Sequence, residues 1–151
     1  MAIILFAATV TRAGEVLGLE VRHFDGSSIT LEQEVWNGKV QAPKTPNAVR
    51  PIDLHPDIAD LLNEFVGGRT TGFVFQTNSG KPITLRNVAR SLYSVLETLE
   101  ISKRGFHSFR RFRNTHLRKS GCPDGLAKFW MGALNYSDVP KPTNSIEAVN
   151  A

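Results

Sequence analysis

The feature that most constrains the fold is an alternating stretch followed by a tight-turn dipeptide. Across residues 29–35, apolar and polar side chains alternate, which is typical of a half-buried β-strand. Asn37-Gly38 follows and favours a two-residue hairpin turn, because both positions tolerate positive φ. A return strand is predicted over residues 39–41, and a third strand over residues 49–54. The sequence therefore predicts a small three-stranded antiparallel sheet.

Helical spacing prevails on both sides of this sheet. The first ten residues are apolar but too short to span a bilayer, so a buried helix that runs towards Arg12 is expected. Further helices are predicted after Pro56, after Thr84 and over residues 126–131, each with a start signal or helical spacing. The fold class predicted is α+β, mainly α-helical with the three-stranded sheet at one edge.

Length and cysteine content limit the class of protein. A chain of 151 residues that is 41% apolar can form one domain with a real core. The single cysteine, Cys122, excludes an intramolecular disulfide and favours a reducing, cytoplasmic setting. The four histidines lack metal-site spacing and have no second cysteine to join them, so no metal is expected. Residues 137–151 are polar and aperiodic, which predicts a disordered tail after a domain over residues 1–136.

Positive charge is concentrated in one segment. Residues 103–119 carry seven of the 18 Lys and Arg and no acidic residue, while the rest of the chain has 11 basic against 14 acidic residues. Such a concentration is typical of a polyanion site, although a solvated helix face is the ordinary alternative. Helical spacing predicts that one face of this segment is buried, formed by Phe109, Phe112, His116 and Leu117.

Three basic elements stand out in the order of the chain. Arg12 precedes Glu15 by three residues, Lys44 lies in a proline-bounded loop between predicted strands, and His107 precedes Arg110 by three residues. Each has an ordinary explanation as well. Arg12 could pair with Glu15 at a helix end, Lys44 could be a loop lysine, and His107 could cap the basic helix.

The order and spacing of these elements resemble the catalytic domain of the tyrosine recombinases, the phage-integrase family, over residues 3–133. The resemblance implies that Arg12 and Arg110 hold phosphate oxygens, for which a permanently charged planar fork is well suited. It also implies that His107 hydrogen-bonds the phosphate or assists proton transfer, and that Lys44 protonates the departing 5′ oxygen. Glu15 is expected to support Arg12.

The same resemblance implies duplex DNA as the partner and no cofactor, because the arginines supply the charge that a metal would. Family members assemble as homo-oligomers on DNA, and weaker assembly is expected here because the C-terminal helix that docks on a neighbouring protomer is missing. Three further arginines are interpreted as contacts to the DNA backbone: Arg111, Arg113 and Arg118. Arg50 is expected to be structural or a backbone contact.

The chain departs from the family pattern at its end. Gly132 is followed by Ala133 rather than by His or Trp, and Pro142 occupies the position expected for the nucleophilic tyrosine. Without a nucleophile no phosphotyrosyl intermediate forms. Tyr136 is a weak candidate for a substitute, whereas Tyr93 is interpreted as a core residue.

Two functions follow from these observations, beside the possibility of a structural remnant that neither binds nor cuts DNA. One is a site-specific recombinase catalytic domain of a mobile element, built for DNA strand cleavage, rejoining and integration, present here as an N-terminally truncated fragment or degenerate copy. The alternative is a non-catalytic module that binds duplex DNA with the same basic face.

Overall fold

The computed structural model describes residues 1–43, 45, 48–134 and 136–139. Helices precede and follow a group of short antiparallel strands in the chain. In chain order the elements are α1 (Ala2–Ala8), α2 (Ala13–Leu17), a 3-10 helix (Val21–His23), β1 (Ser28–Leu31), β2 (Glu34–Trp36), β3 (Lys39–Gln41), β4 (Arg50–Asp53), α3 (Pro56–Val66), α4 (Leu85–Thr98), α5 (His107–Lys119), α6 (Asp124–Trp130) and a second 3-10 helix (Tyr136–Asp138). The mixed, mainly helical fold class is as predicted.

Within the described residues, the strands form two two-stranded sheets rather than the predicted three-stranded one. β1 pairs antiparallel with β4, and β2 pairs antiparallel with β3 through the predicted Asn37-Gly38 turn. The predicted single strand breaks near Gln33, whose side-chain amide donates to Gly18 O at 2.8 Å and to a carboxylate oxygen of Glu20 at 2.9 Å. After this break the alternation is lost, because the neighbouring Glu34 and Val35 are both buried. The alternation predicts Glu34 on the polar side.

The first helix ends earlier than predicted. α1 stops at Ala8, and its C-cap Thr9 is extended with φ of −121°. The Thr9 hydroxyl donates to Leu5 O at 2.7 Å, the same oxygen that accepts the Thr9 N–H. Arg12 is therefore not at the end of α1. It is the N-cap of a separate helix, α2.

Two glycines allow α2 to pack directly on the strand backbone. Gly14 and Gly18 lie one turn apart, and a Cβ at these positions would sit 2.9 Å from Val35 O and 3.0 Å from Gln33 O. Only glycine fits such a close approach without displacing the strand. Val16 and Leu17 on the same helix join the apolar core, together with Leu5 and Ile29. This packing brings the start of α2 beside the β2–β3 hairpin.

Local signals identify the next two helices correctly. Pro56 occupies the first turn of α3, which ends at Gly67 with φ of 60°. The Thr84 hydroxyl caps α4 by accepting the N–H of Asn87 at 3.4 Å. α6 begins at Asp124, two residues before the predicted start.

The orientation of α5 differs from the prediction. Phe109 is partly buried against the core, but Phe112 is 68% exposed and His116 is exposed as well. The rings of Phe112 and His116 stack on each other, with centroids 6.1 Å apart. Arg110 is the residue of α5 that is buried. The inward face of the helix is therefore the one that carries Arg110, and the hydrogen bonds of its guanidinium explain this orientation.

Candidate functional site

A groove of about 1040 Å³ lies between the β2–β3 hairpin, the first half of α4 and the N-terminal ends of α2 and α5. Arg12, His107 and Arg110 all line it, so the fold brings together two sequence elements that are far apart in the chain. Among the described lining residues, Arg86 adds a third arginine and Glu34 contributes a carboxylate. The lining therefore has an excess of positive charge, which favours an anion.

Arg12 is fixed by one carboxylate at the start of α2. Its backbone N–H donates to Glu15 Oε2 at 2.7 Å, and its Nη1 donates to Glu15 Oε1 at 3.1 Å. The Glu15 side chain is 2% exposed, whereas that of Arg12 is 48% exposed. A guanidinium carries five N–H donors. The remaining donors of Arg12 are therefore available to an anion in the groove.

A second arginine, Arg50, binds the same carboxylate from the interior. Its Nη1 and Nη2 donate to Glu15 Oε1 and Oε2, both at 3.2 Å, and its side chain is 0% exposed. Arg50 also donates from Nη1 to Ala48 O and from Nε to Trp130 O, both at 2.8 Å. Complete burial leaves Arg50 no exposed side-chain atom with which to contact a DNA backbone. Of its two interpretations, the structural one fits.

Arg110 is buried because main-chain oxygens satisfy its guanidinium. Nη1 donates to Val10 O, which precedes α2, and Nη2 donates to Met131 O at 2.7 Å, just after α6. Burial lowers the pKa of Arg110 to about 10, and the charge of Arg12 acts in the same direction while Glu15 opposes it. Arg110 remains a cation at neutral pH. A bound anion would relieve the repulsion between the two guanidinium groups.

His107 is the first residue of α5 and is exposed at the groove. The N-terminus of a helix has a partial positive charge, which favours an anion at this point. His107 and Arg110 lie one turn apart, so both approach the groove from the same helix end.

The other predicted site residues are less closely associated with the groove. Lys44 lies outside the described residues. Arg111 is exposed and Arg113 half-buried, whereas Arg118 forms a 2.7 Å ion pair with Asp124. Tyr136 begins the second 3-10 helix, and its side chain lies outside the description. Of the predicted tail, residues 140–151 are outside the described part.

The structure adds groove residues that the sequence interpretation missed. Tyr93, interpreted as core, lines the groove together with Leu85 and Ala89. These three residues are spaced by four along α4, so a helical stripe was the available signal. The Lys103 Nζ atom lies 5.9 Å from the Tyr93 ring centroid. Trp36 on the hairpin also lines the groove.

Neither a membrane helix nor a metal cluster is present in the described part of the chain. No described helix combines the length and the apolar character needed to cross a bilayer. Among the same residues, no group of three or more His, Cys, Asp or Glu side chains is arranged to hold a metal ion.

Sequence comparison identifies one kind of relative. The chain is 25% identical over 186 aligned positions to a "Tyrosine recombinase XerC-like" protein of Caldanaerobacter subterraneus subsp. tengcongensis, covering 97% of this chain and 48% of that protein. The chain matches no protein-family model. It spans about half the length of the curated relative that it matches.

Structural comparison also finds an integrase and a recombinase. The integrase of transposon Tn1549, solved in complex with circular intermediate DNA, superimposes with a TM-score of 0.72 at 19% identity, covering 89% of this chain and 51% of that one. The XerA recombinase superimposes with a TM-score of 0.68 at 18% identity, covering 87% and 47%. The fold is therefore that of the tyrosine-recombinase integrases. The resemblance deduced from the motifs is confirmed, and this chain is similar to the tyrosine recombinases in both sequence and fold.

Proposed function

We propose that this chain is the catalytic-domain portion of a site-specific DNA recombinase of the phage-integrase type, and that its groove binds a phosphodiester of duplex DNA. The observation that carries the proposal is the presence of Arg12, His107 and Arg110 in the lining of one groove. The similarity to a XerC-like recombinase and to an integrase solved on DNA supports it. The single cysteine supports a cytoplasmic setting.

Each groove residue has a defined part in this proposal. Arg12 offers its free N–H donors to the non-bridging oxygens, and Glu15 keeps its guanidinium in place. Arg110 adds a second charge, which its carbonyl partners hold at a fixed position. His107 hydrogen-bonds the phosphate at the start of α5. Two guanidinium groups stabilise a phosphorane-like transition state more than the ground state, because its oxygens carry more charge.

Strand cleavage needs further groups. Lys44 is the proposed donor of a proton to the departing 5′ oxygen, and a tyrosine hydroxyl would attack the phosphorus. Pro142 stands where the resemblance places that tyrosine. We therefore propose that this chain binds duplex DNA without forming a covalent adduct. Arg111, Arg113 and Arg118 contribute contacts to the DNA backbone, and for Arg118 this requires the ion pair with Asp124 to open.

Duplex binding as a function of salt tests the proposal. Fluorescence anisotropy with a labelled duplex gives the dissociation constant over a range of salt concentrations for the wild type and for Arg12→Ala. Loss of one phosphate contact is expected to lower the slope of log binding constant against log salt concentration by about one. It should also weaken binding by roughly tenfold. Arg90→Ala is the matched control, because Arg90 is exposed but does not line the groove. Equal effects of the two variants would contradict the proposal.

A nicked duplex that traps covalent adducts tests the second part. The wild type is expected to give no adduct in a denaturing gel. The sequence contains two tyrosines, so Tyr93→Phe and Tyr136→Phe cover both. An adduct that disappears in either variant would show that this chain cleaves DNA with that tyrosine, and would overturn binding without cleavage.

A further inference from the structure

We infer that Arg50 is a positioning residue for the groove, acting through Glu15 to hold the Arg12 guanidinium where a phosphate binds. This role rests on the proposed phosphate-binding function. Arg50 does not line the groove, and its side chain is 0% exposed. Any influence on a bound phosphate must therefore pass through a neighbouring residue.

The hydrogen bonds of Glu15 show how Arg50 controls Arg12. Glu15 Oε1 accepts from Arg12 Nη1 at 3.1 Å and from Arg50 Nη1 at 3.2 Å. Glu15 Oε2 accepts from the Arg12 backbone N–H at 2.7 Å and from Arg50 Nη2 at 3.2 Å. A carboxylate has about four acceptor positions. The two-pronged contact from Arg50 sets the plane of the carboxylate, and the plane in turn fixes where Arg12 binds.

Charge sharing strengthens the same conclusion. Arg12 and Glu15 alone would form a neutral pair, which attracts a phosphate weakly. Because Arg50 also binds Glu15, one negative charge serves two guanidinium groups, and the three residues together keep one positive charge. Arg12 is the exposed member of the three. The excess charge is therefore presented to the groove through Arg12.

Arg50 is itself held by main chain from two distant segments. It binds Ala48 O before β4 and Trp130 O at the end of α6, while Arg110 binds the next carbonyl, Met131 O. Gly132 follows with φ of +67°, and a Cβ there would lie 2.8 Å from Arg50 Nη1. The absence of a side chain at position 132 leaves room for the Arg50 guanidinium. The end of α6 thus orients both buried arginines.

A double-mutant cycle in duplex binding tests the inference. Arg50→Lys keeps the charge and removes the two-pronged contact. Arg12→Ala is expected to weaken binding by roughly tenfold in the wild type and by less than about twofold in Arg50→Lys, because Arg12 is no longer held in place. A tenfold effect of Arg12→Ala in both backgrounds would overturn the inference.

Arg69→Lys is the matched control for a purely structural arginine. Arg69 donates from Nε, Nη1 and Nη2 to Val66 O, Phe73 O and Val74 O at 3.0–3.1 Å, but it does not line the groove. Arg69→Lys is expected to lower stability while leaving the tenfold effect of Arg12→Ala intact. If Arg69→Lys abolishes the effect of Arg12→Ala as Arg50→Lys does, a general loss of stability explains both results and the inference is wrong.

Two further arms keep the test decisive. If Arg50→Lys does not fold, Gly132→Ala replaces it, since the added Cβ displaces the Arg50 guanidinium without removing it.

If the wild type shows no Arg12-dependent binding, the proposed phosphate function fails, and urea unfolding without DNA tests the positioning alone. The shift in unfolding midpoint caused by Arg12→Ala should then largely vanish in the Arg50 variant. Equal shifts would overturn the inference.

Discussion

On the two sides of α5, a charged residue is buried and an apolar residue is exposed, which is the reverse of the usual arrangement. Arg110 is 8% exposed on the inner side, whereas Phe112, two residues later, is 68% exposed on the outer side. The inner side offers carbonyl oxygens of Val10 and Met131, at chain segments beside helix ends. Such oxygens need donors when they are buried. Arg110 occupies the inner side because its guanidinium donates to both oxygens. Phe112 lies on the outer side, where its ring stacks on His116.

The same contrast separates the arginines of the molecule. Arg50 and Arg110 are buried, each with at least two main-chain carbonyl partners. Arg118 on α5 is about half exposed and pairs with Asp124. Exposed ion pairs contribute about 0–1 kcal/mol, whereas breaking a buried pair costs much more. A charged residue on the inner side should therefore matter to stability far more than one on the outside.

The largest effect is expected from the carboxylate between Arg12 and Arg50. Glu15→Gln leaves Arg50 buried without its counter-charge and should lower the free energy of unfolding by about 3–5 kcal/mol. Urea unfolding followed by circular dichroism measures this. Glu32→Gln is the control, because Glu32 is an exposed partner of Arg22 and should cost less than about 1 kcal/mol. Similar losses in the two variants would remove the distinction between the buried and exposed pairs.

Gly132→Ala should come next. Alanine at a positive φ costs about 1 kcal/mol, and crowding against Arg50 Nη1 and Ala48 Cα adds to it, which gives about 2–3 kcal/mol in total. Gly121→Ala isolates the conformational cost, since Gly121 has φ of +78° and no atom within 4 Å of a built Cβ. Comparing the unfolding free energies of these two variants measures the crowding. Equal losses would mean that Gly132 does not make room for Arg50.

The two phenylalanines of α5 test its orientation directly. Phe109→Ala removes a ring that packs partly buried against the core and should cost about 2 kcal/mol. Phe112→Ala should change the free energy of unfolding by less than about 0.5 kcal/mol, as for other exposed positions. Thermal and urea unfolding of both variants give the comparison. A larger loss of unfolding free energy for Phe112→Ala than for Phe109→Ala would mean that Phe112 is buried, as helical spacing predicts.

The smallest effect concerns His23. Burial lowers the pKa of His23 below 6.5, and its Nδ1 accepts the Glu20 N–H at 3.1 Å. As the pH falls through 6.5, the unfolded state binds a proton at His23 before the folded state does. The free energy of unfolding is therefore unaffected by His23 above pH 6.5 and declines below it. His23→Gln should flatten this decline in unfolding free energy measured against pH. An unchanged acid decline would assign it to other groups.

Local signals explain how much of the fold the sequence could predict. Pro56, Thr84 and Asn37-Gly38 act within a few residues, and the structure confirms the helix start or turn expected at each. The break at Gln33 depends on Gly18 and Glu20, which no local pattern reveals. For this reason the alternation failed at Glu34.

Three of the groove residues could be predicted from the sequence, but the contacts that support them could not. Arg12, His107 and Arg110 followed from motif order, and the fold places them in one groove. Two of the three partners of Arg50, Glu15 and Trp130, lie 35 and 80 residues away in sequence, so its function could not be assigned from spacing. One signal was present, because Arg50 shares the inward face of β4 with Ile52. A charge at such a position requires a buried partner. Lys44 stays a prediction.

Arginine side-chain NMR during a duplex titration tests the central claim most directly. Side-chain Nε–H resonances are assigned by single Arg→Lys variants and followed as a short duplex is added at moderate salt. The resonances of Arg12 and Arg110 are expected to shift first and to saturate together, and the His107 ring signals should follow the same curve. If Arg111 and Arg118 shift while Arg12 and Arg110 stay unchanged, DNA binds the outer side of α5, and the groove is not the phosphate site.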